Sequence, residues 1–160
     1  MTAGSHPAVD RFAAALAAHG LHPEIIWHEE STPSAAAAAE ALGIDVGAIA
    51  NSLVFTLDGE PVLVMTSGGH RVDTEFLGRA LGGTLERASK EAVKEATGQT
   101  IGGVAPTGHP APVRTFVDRS LARYGTVWAA AGHPHTSVPL SYDELLLVTA
   151  GTEVDVEPAV

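Results

Sequence analysis

The stretch Gly102, Gly103, Val104, Ala105, Pro106, Thr107, Gly108, His109 and Pro110 holds three glycines, two prolines and a histidine within nine residues. No helix interior or inner strand tolerates that composition. Glycine admits positive φ and lets a backbone or ligand approach closely, while proline fixes φ and removes a donor. The expected product is a rigid loop whose N–H groups can be aimed at a carbonyl or phosphate oxygen. Composition alone equally allows an ordinary connection between a helix and a strand.

Other chemistries find less support. There is no Gly-x-Ser-x-Gly elbow, and Ser, His and Asp partners cannot be paired from spacing. No Gly-x-x-x-x-Gly-Lys-Ser/Thr loop occurs, and residues 98–103 do not follow a strand and open a helix, so a dinucleotide fingerprint is unsupported. His133 and His135 form the one close histidine pair, but Pro134 separates them and no third ligand is in view. Turn histidines held by backbone hydrogen bonds are the better reading, and no metal is expected. His70 and His109 read as solvated loop residues, and Glu29 and Glu30 as a solvated edge. There remain loops of small residues at 32–34, 50–52, 67–70, 102–106 and 132–136. Converging on one cleft, they would offer backbone donors, hydroxyls and one imidazole, but no strong base. Such a site suits polarisation of a reactive carbonyl whose attacking water is helped elsewhere, and an activated ester needs no more.

The elements that must position these loops follow from periodicity. Val9, Phe12 and Leu16 give a helix over 6–19, stopped by Gly20. Residues 23–28 read as a short strand. Thr32 is the expected cap of an alanine-rich helix, with Pro33 in its first turn and Gly43 at its end. A short helix at 45–49 leads into strand 52–57, and Asp58-Gly59 turns it back as 61–66. Both strands are apolar on both faces, which places them at the sheet centre. Asp73 and Ser89 are expected to cap helices ending at Leu81 and before Gly98. Beyond the loop come a strand at 113–118, a helical turn at 119–124, a strand at 126–130 and an extended run at 137–140. Ser141 caps a last helix through Leu147, and a strand or tail starts at Val148. The expectation is one mixed α/β domain over residues 1–160.

The composition restricts partners. Apolar residues make up 45% of the 160 and aromatic residues 5%. Without cysteine there is no disulfide framework, thiolate zinc site or cysteine nucleophile, which fits a reducing cytoplasm. Met1 to Asp10 lacks the pattern of a signal peptide, and no apolar stretch has the length of a bilayer span, so no membrane partner is expected. Nine Lys plus Arg against nineteen Asp plus Glu give a net charge of −10. That balance opposes a long duplex DNA or RNA footprint. Arg71, Arg79, Arg87, Lys90 and Lys94 come nearest to a basic face, with acids interleaved, so a nucleic-acid partner is touched over a short length or delivered by another protein.

Several segments, in order, resemble the YbaK and prolyl-tRNA synthetase insertion-domain family: Leu42-Gly43-Ile44, Ile49-Ala50-Asn51-Ser52-Leu53-Val54-Phe55, Gly102-Gly103-Val104-Ala105-Pro106 and Gly132-His133-Pro134. The resemblance runs from about Glu24 to Asp155. It implies a mixed α/β fold whose sheet wraps partway into a barrel flanked by helices. It also implies an aminoacyl-tRNA editing domain, free-standing or borne by a synthetase, that hydrolyses mischarged aminoacyl-tRNA without a cofactor. Residues Gly102, Gly103, Val104, Ala105 and Pro106 would then form the catalytic loop that holds the aminoacyl carbonyl, with a terminal ribose hydroxyl of the tRNA assisting the water. Asn51, Ser52, Thr32, Gly132 and His133 would bind the substrate, His133 shaping the amino-acid pocket. The implied partners are the tRNA acceptor end and an aminoacyl-tRNA synthetase, and the implied location is the cytoplasm. The family carries lysine where this chain has Asn51; asparagine hydrogen-bonds without charge, and charged hydrogen bonds are about twice as strong. Arg71, Lys90 or a partner would have to compensate. A binding module with the fold retained, and hydrolysis of another small activated ester, are the alternative readings. Trp27, Met65, Val104 and His133 are the candidates for setting pocket size.

Overall fold

Helix α1 (Pro7–Ala17) begins where His6 is extended and its ring Nδ1 accepts the Ala8 N–H at 3.1 Å; Pro7 in the first turn has no N–H to satisfy. Phe12 and Leu16 face the core. The structure, a computed structural model, describes residues 6–32 and 34–158. Strand β1 is only Ile26–Trp27, shorter than the sequence pattern, and forms an edge that pairs on one side alone. Helix α2 (Ala35–Leu42) starts later than expected. Its cap is Ser34, whose hydroxyl accepts the Ala37 N–H at 3.1 Å, whereas the Thr32 hydroxyl donates to the Pro134 carbonyl at 3.1 Å. Pro33 lies outside the described residues. A 3-10 turn, Val46–Ala48, follows.

Strands β2 (Ala50–Leu57) and β3 (Glu60–Ser67) pair antiparallel across a turn in which Asp58 and Gly59 have φ of 51° and 86°. Both positive angles match the right-handed twist of the hairpin. Asp73 caps α3 (Thr74–Leu81) and Ser89 caps α4 (Lys90–Thr97), as the sequence indicates. Strand β4 (Leu85–Arg87) lies between them and is too short to show alternation. The remaining elements are β5 (Arg114–Asp118), a 3-10 turn Arg119–Arg123, β6 (Val127–Ala129), β7 (Thr136–Leu140), α5 (Tyr142–Thr149) and β8 (Thr152–Val154). Ser141 and Glu144 close a reciprocal capping box on α5, and the helix runs on to Thr149, so Val148 belongs to it and not to the following strand.

The fold is mixed α/β, with strands in two sheets that do not close into a barrel. One has the order β4-β2-β3-β5-β8, parallel only at β3-β5 and β5-β8; the other is β1-β7-β6. They meet at a parallel bridge between Ile49 and Trp128. In β3, Leu63 and Met65 point into one core while Val62 and Val64 point into a second. The first core is shared with α1, α5 and the smaller sheet, and the second is covered by Leu77 of α3. Two covered faces explain the continuous apolar run of these strands.

Candidate functional site

The glycine-proline loop is held from below by side chains. After α4, Gly98 takes a left-handed turn (φ 71°) and Gln99 becomes 2% exposed. Its Oε1 accepts the Ala105 N–H at 2.7 Å. The Ala105 carbonyl accepts from His109 Nε2 at 2.8 Å, so that nitrogen carries the proton. Burial lowers the His109 pKa, partly opposed by this hydrogen bond. His109 is therefore a clamp on the loop and not the solvated residue its glycine-rich surroundings imply. The Gly103 N–H donates to the Thr100 carbonyl at 3.0 Å. A Cβ on Gly103 would lie 2.6 Å from the Pro134 nitrogen, so glycine here permits two backbones to touch.

Pro106 has no N–H, and those of Gly103 and Ala105 are engaged. The N–H groups of Gly102 and Val104 have no hydrogen-bond partner among the described residues, and these are the two loop residues that line a cavity of about 30 Å³. The cavity sits at the seam of the two sheets. The start of β2 supplies Asn51 and Ser52, β6 supplies Trp128, and the segment before α2 supplies Thr32. Ala35, Ala38, Ala129 and Ala130 keep it narrow. Among the described residues, no Asp, Glu, His, Lys or Arg lines it. The Ser52 hydroxyl donates to Met65 Sδ at 3.2 Å, and Met65 is fully buried beneath the cavity. The Asn51 side chain is half-buried and has no hydrogen-bond partner among the described residues.

Thr32, Asn51, Ser52, Gly102 and Val104 thus come together, while Gly103, Ala105 and Pro106 form the buried back of the loop. Gly132 and His133 lie outside the small cavity and line a neighbouring one. Gly132, at φ 111°, packs its backbone against Ala8 of α1. His133 Nδ1 accepts the His135 N–H at 3.1 Å, and the ring stands 5.2 Å from those of His6 and His135 and 5.4 Å from Trp27. Burial first, then the neighbouring histidines His6 and His135, lower the His133 pKa. The imidazole expected within the cleft is therefore outside it. Loop 67–70 also stays apart: His70 Nδ1 is 3.2 Å from the buried Asp118 carboxylate, so this histidine too is held rather than solvated. Gln99 and Trp128 are contributors that residue type gives no means to single out; a buried amide after a helix-ending glycine looks like any polar turn residue.

Residues 29–147 match the aminoacyl-tRNA editing domain family, and the chain belongs to that family. It is similar to protein YwhH of Bacillus subtilis (strain 168), with 33% identity over 123 residues, 76% of this chain and 78% of YwhH. It is also similar to the proline–tRNA ligase of Maridesulfovibrio salexigens, with 36% identity over 95 residues, 59% of this chain but 16% of the ligase. A solved structure of a candidate trans-editing enzyme for prolyl tRNA synthetase superposes with a TM-score of 0.90 at 36% identity, covering 98% of this chain and all 100% of that one. Among the described residues no helix is long and apolar enough to cross a membrane.

Proposed function

We propose that this editing domain acts as a free-standing, single-domain deacylase that hydrolyses the ester of a mischarged aminoacyl-tRNA. The observation that carries the reading is the pair of unpartnered N–H groups, Gly102 and Val104, on the same small cavity as Asn51 and Ser52. Two backbone donors fixed by the Gln99 and His109 clamp can receive a carbonyl oxygen as it becomes an oxyanion, without reorganising during the reaction. Water adds to the ester carbon, the tetrahedral oxyanion collapses, and the ester C–O bond to the ribose breaks. The ribose oxygen leaves with a proton, giving free amino acid and tRNA. With no titratable side chain on the cavity wall, the base is supplied by the substrate, as the family resemblance implies through a ribose hydroxyl. The small volume, about 30 Å³, favours the smallest side chains. The partners are the tRNA acceptor end and, given the ligase relatives, a prolyl-tRNA synthetase.

The test is hydrolysis of alanyl-, seryl-, threonyl- and cysteinyl-tRNA at excess enzyme, with alanyl-tRNA expected to be the fastest. Release no faster than in buffer for all four would overturn the reading. Asn51 favours a second one, a binding module that has lost turnover. Activity found only in Asn51→Lys would establish it.

A further inference from the structure

Consecutive residues face two different cavities: Thr32 and Gly102 line the small one, Ser31 and Ile101 a larger one of about 490 Å³. The larger wall also carries His6, Lys94, Thr100, His133 and His135. Among the described residues no Asp or Glu lines it, in a chain with nineteen acids and nine Lys plus Arg. His6 and His133 each accept a backbone N–H at Nδ1, so their neutral rings carry the proton on Nε2 and present a donor. Lys94 is exposed, and its Nζ is 3.4 Å from the Gly98 carbonyl, a weak contact that leaves its other protons available. Gln99, whose buried Nε2 has no partner among the described residues, also lines this cavity. Ile101, 56% exposed, stands at its lip. The lining is thus a set of donors and one cation beside an apolar edge, against the charge of the molecule as a whole.

We propose that this cavity is a phosphate site that receives a phosphodiester of the tRNA acceptor end while the aminoacyl ester occupies the small cavity, with Lys94 as its charged partner. The proposal rests on the editing reading. It relocates the compensation for Asn51: Arg71 and Lys90 line neither cavity, whereas Lys94 does.

The experiment uses the full chain and its Lys94→Gln and Lys94→Arg variants. Imidazole NMR signals of His133 and His135 are followed during titration with cytidylyl-adenosine, which has one phosphodiester, with adenosine, which has none, and with inorganic phosphate. The dinucleotide should shift both signals and adenosine should not. Lys94→Gln should weaken dinucleotide binding by about fivefold to tenfold, and Lys94→Arg should retain it. In kinetics, Lys94→Gln should raise KM for alanyl-tRNA by a similar factor at unchanged kcat, and leave hydrolysis of the alanyl ester of adenosine untouched. Equal binding of adenosine and dinucleotide, or indifference to Lys94→Gln, overturns the proposal. Inorganic phosphate binding as tightly as the dinucleotide also overturns it, assigning the cavity to free phosphate. Because the NMR arm needs no turnover, failure of the editing reading would show as intact dinucleotide binding without hydrolysis.

Discussion

Two loops of this chain, 67–70 and 102–106, are alike as sequence, each with paired glycines and a histidine in or just beyond it, and they differ in where their hydrogen bonds go. In the first, every N–H is engaged: Ser67 with Asp118, Gly68 with the Ile49 carbonyl, Gly69 with the Ser67 hydroxyl and His70 with the Ser67 carbonyl. In the second, Gly103 and Ala105 are tied down while Gly102 and Val104 are left open on a cavity. Their glycines differ too. A Cβ on Gly68 would sit 2.5 Å from the Val46 carbonyl oxygen, a packing requirement, whereas Gly102 has φ 90°, a conformational one. A fully satisfied loop is a latch, and a loop with unpaired donors in a rigid frame is a binding element.

The sharpest way to break this contrast is a pair of glycine substitutions. Gly102→Ala should lower kcat for alanyl-tRNA by about 10²- to 10³-fold by displacing an oxyanion donor. Gly68→Ala should lower stability by about 1–3 kcal/mol through overpacking and, since its Cβ also meets Ala35 of the cavity wall at 2.8 Å, reduce the rate per folded molecule far less than Gly102→Ala does. Equal loss of rate in both would end the distinction. Asp118→Asn tests the latch from the other side. Its buried carboxylate accepts the Ser67 and Ser120 N–H groups at 3.0 and 2.9 Å, so urea unfolding should show a loss of about 3 kcal/mol with kcat retained.

Gln99→Leu strips the acceptor from the buried Ala105 N–H, costing about 1–3 kcal/mol, and kcat should fall more than KM changes. Gln99→Glu, which keeps an acceptor at that position, should recover part of the rate. The smallest effect is acid sensitivity. Burial lowers the pKa values of His28, His109 and His133 below the ordinary 6.5. The unfolded chain therefore binds protons before the folded one, and stability should drop as pH falls below 6.5 and level off above it. Urea midpoints taken from about pH 7.5 to about pH 5 should show that slope, and His109→Asn should flatten it.

Local chemistry made most of the frame legible. Asp73, Ser89 and Ser141 as caps, and Asp58-Gly59 as a hairpin turn, need only neighbouring residues, and each forms as read. Thr32 misleads because a capping hydroxyl two residues on, Ser34, competes with it and a distant carbonyl captures its own. The seam of the two sheets is made where Ile49 meets Trp128, and Gly132 is required where its backbone packs against Ala8 of α1. Neither is encoded in spacing. The roles of His70 and His109 were hidden for the same reason: a histidine among glycines looks wet until its partner across the fold is known.

The stitching of the loop before α2 to the turn before β7 has a kinetic consequence. The bonds from Thr32 to Pro134 and from His28 to Ser137 span 102 and 109 residues, whereas β2 and β3 close over a two-residue turn. Contacts of such separation cost more chain entropy and form late. As the chain emerges amino end first, the wall carrying Trp128 and Thr136 is missing until most of the protein has been made. The larger sheet can acquire its hairpin early, but the cavity is completed at the end. In refolding, recovery of function should lag behind the hairpin and coincide with the last closure of the chain.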